Sequence, residues 1–292
     1  MMVNNANLDA LRVGFNASFQ RGFSGTTALY TTIASVIPSS TRLNTYGWLG
    51  NFPQMRRWVG DRRVNSLDER AYTLANEDFE ATISVPRKDI EDDVLGVYSP
   101  MFEGLGQSAA ALPDKLVFDS LAQGHTRECF DGQNFFDTEH PVGDEAVSNI
   151  TAGATPAWYL VDLSKPLKPL IYQNRKPPQF VAQDRPTDEN VFMRGEYRYG
   201  VDSRGAAGFA FWQLAHRAEV PLNAESYAVV RAAMTALTDD EGEPLGVRPT
   251  HLVTGGSNLA DARQLLKAST LPAGGSNIWF EDVALLEAPR LA

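Results

Sequence analysis

The chain has 292 residues, with 26 Lys and Arg against 36 Asp and Glu, giving a formal charge of −10. That length suffices for one large domain or two, and the acidic balance, spread without long runs, argues against sequence-specific nucleic-acid binding, which needs a basic face. The single cysteine, Cys129, excludes an internal disulfide framework and a cysteine-only zinc site. The start lacks the basic and apolar regions of a secretion signal, and no apolar stretch is long enough to span a bilayer. These features predict a soluble chain made in a reducing cytoplasm.

In chain order, residues 7–23 carry Leu8, Leu11, Phe15 and Phe19 at helical spacing, with Asn7 as the expected N-cap and Gly22 and Gly25 as the stop. A Thr- and Ser-rich, mostly extended segment follows at 26–45. A helix on such a leash reads first as a docked terminus and second as an arm that docks on a neighbouring copy. Residues 46–85 read as a long hairpin. Phe79, Ala81, Ile83 and Val85 alternate with polar residues, Met55–Val64 is the expected partner strand, and Asn65–Arg70 forms the turn. A two-stranded hairpin of this length needs a surface to lie on, in its own domain or on another subunit.

The stretch 86–124 predicts one long helix. Met101, Leu105, Ala109, Leu112, Leu116 and Leu121 hold one face through Pro113, which implies a kinked helix, and Gly124 offers a left-handed stop. The segment CFDGQNFFDTEHP at 129–141 gathers the chemistry-bearing residues. Cys129 with His140 or His125 would suit a nucleophile and its base, and Asp137, Glu139 and His140 could serve a metal. Against this, no established ligand spacing is present, and adjacent Glu139 and His140 in extended backbone point to opposite faces. The favoured reading is a turn at Asp131–Gly132, bent again at Pro141 and anchored in the core by Phe135 and Phe136.

Beyond an exposed loop at 143–157, WYLVDL and PLIYQ read as short strands and RKPPQF as a tight connection. Residues 191–199 and 209–214 read as a hairpin joined by the turn VDSRGAAG and packed beside the long helix. Asn223 caps a helix carrying Tyr227, Val230, Met234 and Leu237. Strand HLVT, helix 258–268 and the apolar run from Ile278 to Leu286 then suggest a β-α-β unit. GGSN at 255–258 precedes that helix but lacks the lysine and further glycine of a phosphate loop, so Ser257 or Asn258 is expected to cap it. His125, His216 and His251 stand apart and form no ligand pattern.

Five long stretches carry a resemblance to a known family: SSTRLNTYGWLGNFPQMRRWVGDR (39–62), EDDVLGVYSPMFEGLGQSAAALPDKLVF (91–118), CFDGQNFFDTEHPV (129–142), VFMRGEYRYGVDSRGAAGFAFWQLA (191–215) and LGVRPTHLV (245–253). In order and over most of the chain, they resemble the major head subunit of Mu-like phages. The resemblance implies an α+β chain with the tailed-phage major capsid fold, also seen in encapsulins. It divides the chain into an N-terminal arm (1–45), an extended β-hairpin loop over a neighbouring subunit (46–85), a peripheral domain with a spine helix (86–220, its 143–185 portion shared with the axial domain) and an axial domain (221–292).

The implied activity is self-assembly into hexamers and pentamers of an icosahedral head enclosing double-stranded DNA, without sequence-specific binding. No catalysis, cofactor, metal or membrane is expected. The expected partners are further copies, portal and scaffolding proteins, and decoration proteins, in a virion assembled in the host bacterial cytoplasm. The chain is expected to act without N-terminal cleavage and to take its scaffold from a separate protein. Trp58, Arg62, Arg63, Asp68 and Glu69, around the hairpin tip, are the expected subunit contacts. The rival readings are an encapsulin-like nanocompartment shell and a hydrolase built on the 129–141 cluster.

Overall fold

The computed structural model describes residues 5–47, 72–92, 96–270 and 274–291. The first half comprises α1 (Asn5–Gly25), α2 (Tyr30–Ile33), β1 (Ala34–Pro38), β2 (Leu43–Tyr46), β3 (Tyr72–Ala75), β4 (Glu77–Pro86), α3 (Arg87–Glu91) and α4 (Tyr98–Gln123). There follow β5 (His140–Val142), β6 (Glu145–Val147), β7 (Ile150–Thr151), β8 (Trp158–Val161), β9 (Leu170–Gln183), α5 (Glu189–Arg194), β10 (Glu196–Phe209) and β11 (Ala215–Ala218). Last come α6 (Ala224–Thr235), β12 (His251–Thr254), α7 (Leu259–Lys267) and β13 (Ala284–Glu287). A four-stranded sheet has the order β1-β9-β10-β4, and a five-stranded sheet the order β13-β12-β8-β11-β7.

Helix α4 runs unbroken through Pro113, but its buried face differs by one position from the expected stripe. Phe102, Leu105, Ala109, Pro113, Val117 and Leu121 are buried, and Met101 is exposed. Proline has an apolar ring and no N–H to satisfy, so it can itself face a core; a stripe counted without proline misses it. Gly124 has a right-handed φ of −59°. It is required for space, because a Cβ there would lie 2.8 Å from the ring of Phe136.

Helix α1 lies on α4 of its own chain. Leu8, Phe15 and Phe19 are buried, and Phe15 stacks on Phe102 with centroids 4.3 Å apart. The two backbones touch. A Cβ on Gly22 would lie 2.0 Å from the Glu103 carbonyl oxygen, and one on Gly106 would lie 2.1 Å from that of Phe19. Gly22 therefore sits inside the helix as a contact, and Asn7 also falls inside it, since α1 is already helical at Asn5. In the leash that follows, the Asp114 carboxylate of α4 accepts hydrogen bonds from Leu29 N (2.9 Å) and Tyr30 N (2.7 Å), fastening α2.

β9 and β10, which replace the expected hairpin, also pack on α4, where Tyr199 meets both Phe102 and Phe15 of α1. Each is a single strand of 14 residues. VDSRGAAG lies within β10, residues 189–194 form α5, and Trp212–Leu214 make a short 3-10 turn. β9 runs straight through RKPPQF. Its register against β10 jumps from Asp202↔Gln179 to Arg204↔Lys176, leaving Pro177 and Pro178 in an irregularity where no ladder donor is needed. Gly205, read as part of a turn, is a close approach: a Cβ would lie 2.7 Å from the Gln173 carbonyl oxygen.

In 46–85 the alternation of Phe79, Ala81, Ile83 and Val85 is realised in β4, with inward residues more buried than their neighbours. Its partner is β10, over ten pairs from Glu196↔Pro86 to Gly205↔Glu77. The expected partner Met55–Val64 lies outside the described residues. At the base of this segment β2 and β3 pair antiparallel from Leu43↔Ala75 to Tyr46↔Tyr72.

The five-stranded sheet draws strands from both sides of residue 220. β8 pairs antiparallel with both β11 and β12, and β12-α7-β13 is the expected β-α-β unit with parallel strands. Asn223 caps α6 through a capping box with Ser226, and Tyr227, Val230 and Met234 face the core. The final strand begins only at Ala284, and Ile278 and Phe280 of the expected run are exposed. Asn258 stands at the start of α7, but its side chain donates to the Pro156 carbonyl (2.8 Å) instead of capping. Among the described residues no helix is long and apolar enough to cross a membrane.

The helix contact makes a paired prediction. Gly106→Ala should destabilise the fold by about 1–3 kcal/mol, the usual cost of overpacking. Gly104→Ala in the same helix, where a Cβ meets nothing within 4 Å, should be neutral or stabilising by up to about 1 kcal/mol. Urea unfolding of the two variants measures the difference, and equal effects would refute the contact.

Candidate functional site

The expected subunit-contact residues Trp58, Arg62, Arg63, Asp68 and Glu69 lie outside the described residues. The cluster at 129–141 is fully described. The chain leaves α4, turns at Asp131–Gly132 with Gly132 at φ +86°, and sends Phe135 and Phe136 into the core. Phe135 stacks on Phe209 of β10 at 4.4 Å. Glu139 is exposed and His140 buried, the opposite facing expected of neighbours in extended backbone.

Asp131 is the hub. One carboxylate oxygen accepts from the Cys129 thiol (3.1 Å) and Gln133 N (3.1 Å), and the other from His140 Nδ1 (2.7 Å). His140 Nε2 meets the Asn149 side-chain oxygen at 3.2 Å, and its ring stacks on Trp212 at 3.9 Å. The Asn149 orientation follows from its other partners. Its oxygen accepts from Asp137 N (2.9 Å), while its NH2 group donates to the carbonyls of Phe135 (2.7 Å), Trp212 and Ala215 (3.3 Å each). Both ring nitrogens of His140 thus face side-chain oxygens.

This arrangement is a staple between the loop and the β10–β11 segment, and it runs against thiol chemistry. Burial, then the charge and hydrogen bond of Asp131, push the Cys129 thiol far above its ordinary range, and the group beside it is a carboxylate rather than an imidazole. Burial by itself would raise Asp131, but the hydrogen bonds and charge of His140, with the thiol and Gln133 N–H, outweigh it and hold the carboxyl below its ordinary value.

Asp137, Glu139 and His140 do not converge on a metal position: Asp137 turns to Asn134 and the Thr138 amide, and Glu139 faces outward. Cys129, Asp131 and His140 do converge, their ligand atoms lying within 4.8 Å of one another. A cation there would have to displace the protons that already join them. The separate histidines are individually accommodated. His216 is buried against the Thr151 hydroxyl (2.8 Å), and burial lowers its pKa to about 4.

Reading the sequence alone misses Asn149, Trp212 and Arg217. Arg217 donates to the Ala122 carbonyl at the end of α4 (2.7 Å) and to Glu219 (2.7 Å), tying the helix C-terminus to the five-stranded sheet. A buried asparagine or arginine within a polar-looking stretch leaves no periodic trace. Only the pairing of strands far apart in sequence brings these residues together.

The staple predicts a pH signature. Because Asp131 is held lower in the fold than when unfolded, its stabilisation is complete above the ordinary value of 3.8 and is lost as pH falls through the folded value. Asp131→Asn should therefore cost about 3–5 kcal/mol at neutral pH, as when one member of a buried pair is removed, and flatten the decline in acid. Denaturant melts at pH 7 and pH 3 check this, and unchanged stability at pH 7 would contradict it.

Compared with known proteins, residues 8–291 match the family described as Mu-like prophage major head subunit gpT. The chain is similar to the major capsid protein of Escherichia phage Mu, with 39% identity over 289 residues covering 95% of each. It is similar to the Mu-like prophage FluMu major head subunit of Haemophilus influenzae, with 43% identity over 270 residues covering 88% of each. In structure it is similar to a chain from the bacteriophage JBD30 procapsid, with a TM-score of 0.86, 42% identity, and coverage of 99% of this chain and 100% of that one. The α+β architecture is thus that of a phage capsid subunit, and the chain belongs to the family of Mu-like prophage major head subunits.

Proposed function

We propose that this chain is the major shell subunit of a Mu-like phage head, assembling as hexamers and pentamers into an icosahedral capsid around double-stranded DNA. The observation that carries this is the likeness to a procapsid subunit over essentially the whole chain, in sequence as well as fold. The protein then acts by self-association, with no catalysis and no cofactor. The engagement of Cys129 and His140 with Asp131 supports a structural role for the one cluster that suggested a hydrolase. The net charge of −10 suits a wall that encloses DNA without gripping its phosphates.

Within this reading, 1–45 is the N-terminal arm, 46–85 the extended loop over a neighbour, 86–220 the peripheral domain, with 143–185 shared with the axial domain, and 221–292 the rest of the axial domain, whose five-stranded sheet also takes β11 from before residue 220. The β2–β3 ladder supports the loop assignment, because it pairs Tyr46 with Tyr72, leaving 47–71 between two paired strands in sequence. Portal, scaffolding and decoration proteins complete the particle, which is built in the host cytoplasm. An encapsulin-like shell enclosing enzymes is not favoured, since the whole-chain relatives are phage head subunits.

Electron microscopy of the chain expressed with and without a scaffolding partner tests the reading. Closed particles are expected, and a chain that stays monomeric under both conditions would overturn it. The loop assignment makes a separate prediction. Arg62 and Arg63 precede the loop's tip and Asp68 and Glu69 follow it, offering both signs to a neighbour. Reversing Arg62 and Arg63 to Glu should lower particle yield and make particles salt-sensitive while the subunit keeps its melting temperature. A lower melting temperature with normal yield would place these charges in an internal contact.

A further inference from the structure

Cys129, Asp131 and His140 bring a sulfur, two carboxylate oxygens and a ring nitrogen together in the interior. Their ligand atoms lie within 4.8 Å of one another. The site is dry: the side chains of Asp131 and His140 are 1% and 0% exposed, and Cys129 is 6% exposed. Both oxygens of Asp131 face inward, one toward the thiol (3.1 Å) and one toward His140 Nδ1 (2.7 Å). The hydrogen-bond partners of this carboxylate are a thiol, an amide and an imidazole, with no lysine or arginine among them. Thiol, imidazole and carboxylate are the side chains that hold metal ions of borderline softness.

The surroundings of the cluster are arranged as the outer shell of a metal site is arranged. Asn149 spends its NH2 group on the carbonyls of Phe135, Trp212 and Ala215, so its oxygen is the atom that faces His140 Nε2 (3.2 Å). With the ring hydrogen on Nε2, His140 Nδ1 and Asp131 Oδ2 are two acceptors only 2.7 Å apart. That separation needs a positive centre between them, which a proton or a metal ion can supply. From outside, Gln133 N holds Oδ1 (3.1 Å) and the Trp212 ring lies on the imidazole face at 3.9 Å.

We propose that Cys129, Asp131 and His140 form a structural binding site for one divalent ion, zinc by its ligand chemistry, with Asp131 binding through both oxygens. Magnesium and calcium take oxygen ligands, whereas sulfur, nitrogen and carboxylate oxygen in one site suit zinc. One sulfur, one nitrogen and two oxygens supply four donor atoms, which leaves no open position for water or substrate and makes the ion structural. Donors around a tetrahedral zinc stand about 3.3–3.6 Å apart, so the present hydrogen-bonded pairs need to open by less than about 1 Å.

Charge permits the exchange. When the hydrogens on Sγ and Nδ1 leave to solvent as protons and one divalent ion takes their place, the total charge of this buried cluster is unchanged. Without the ion the same residues form the hydrogen-bonded staple described above. With it, metal bonds fasten the loop that follows α4. The proposal concerns a single chain and does not depend on the shell reading.

The test uses the full chain expressed in cobalt-supplemented and in zinc-supplemented medium, desalted, with metal measured per chain. The cobalt form should carry close to one ion per chain. It should show a thiolate-to-cobalt charge-transfer band in the near ultraviolet and the intense visible bands of a four-coordinate ion. In the zinc form Cys129, the chain's single cysteine, should react with a disulfide reagent at least tenfold more slowly than after treatment with a chelator. Cys129→Ala leaves the Asp131–His140 pair in place and should lose the charge-transfer band and at least nine-tenths of the bound metal. His125→Ala removes an exposed histidine outside the cluster and should bind as the unchanged chain does.

A chain that emerges metal-free, cobalt bound without a charge-transfer band, or equal metal on the Cys129→Ala chain would overturn the proposal. If Cys129→Ala does not fold, the spectrum and metal content of the unchanged chain decide it alone.

Discussion

The fold depends on the cover over the buried face of α4. A helix of 26 residues with an apolar stripe through Pro113 is not stable by itself, because the proline removes a backbone donor and crowds the preceding turn. It is held by what lies against it: α1, the long β9–β10 ribbon, and Arg217 at the Ala122 carbonyl. The α1 side is the tighter. Where Gly22 and Gly106 allow two helix backbones to touch, neither helix can shift by a residue without driving a side chain into a carbonyl oxygen. This contact fixes where Phe15 and Phe19 enter the core, and through Phe15 the positions of Phe102 and Tyr199, which meet it edge-on or stacked.

The same contact shows what a sequence can and cannot reveal. The helices were legible because their large apolar residues recur at helical spacing. The exact face of α4 was not, since glycine and proline count for little in such patterns although Gly106 and Pro113 are both buried in it. The strands at 170–183 and 196–209 were misread for a related reason. Paired prolines and a run of small residues are turn signals in isolation, yet here the prolines occupy an irregularity in the ladder and Gly205 makes room for a carbonyl oxygen. Those outcomes are decided by the partner strand, which local sequence does not contain. By contrast the strand at 77–86 and the capped helix at 224–235 are written in local alternation and a capping residue and formed where expected, while the β-α-β unit formed with its last strand starting only at Ala284.

The 129–149 region illustrates why clustered reactive residues need not be reactive. Cysteine, aspartate and histidine are within reach of one another, but their order matters. The carboxylate stands between thiol and imidazole, so it accepts from both and keeps the thiol protonated. Asn149 and Trp212 then hold the ring from its other nitrogen and its face. The loop following α4 is thereby locked to the segment that joins β10 to β11, coupling the two sheets. Sequence reading anticipated the turn at Asp131–Gly132 and the two anchoring phenylalanines, but it had no means of identifying Asn149 as the residue that completes the staple.

Among the described residues, these elements form a core that is complete within one chain, so the shell proposed above would need only surface contacts between copies. Hydrogen exchange on free subunits and on closed particles tests that division most directly. The account predicts that α4 and the β9–β10 ribbon are already strongly protected in the free subunit, with new protection on assembly appearing elsewhere in the chain. Rapid exchange throughout α4 in the free subunit, becoming slow only in particles, would contradict it by showing that the core forms only on assembly.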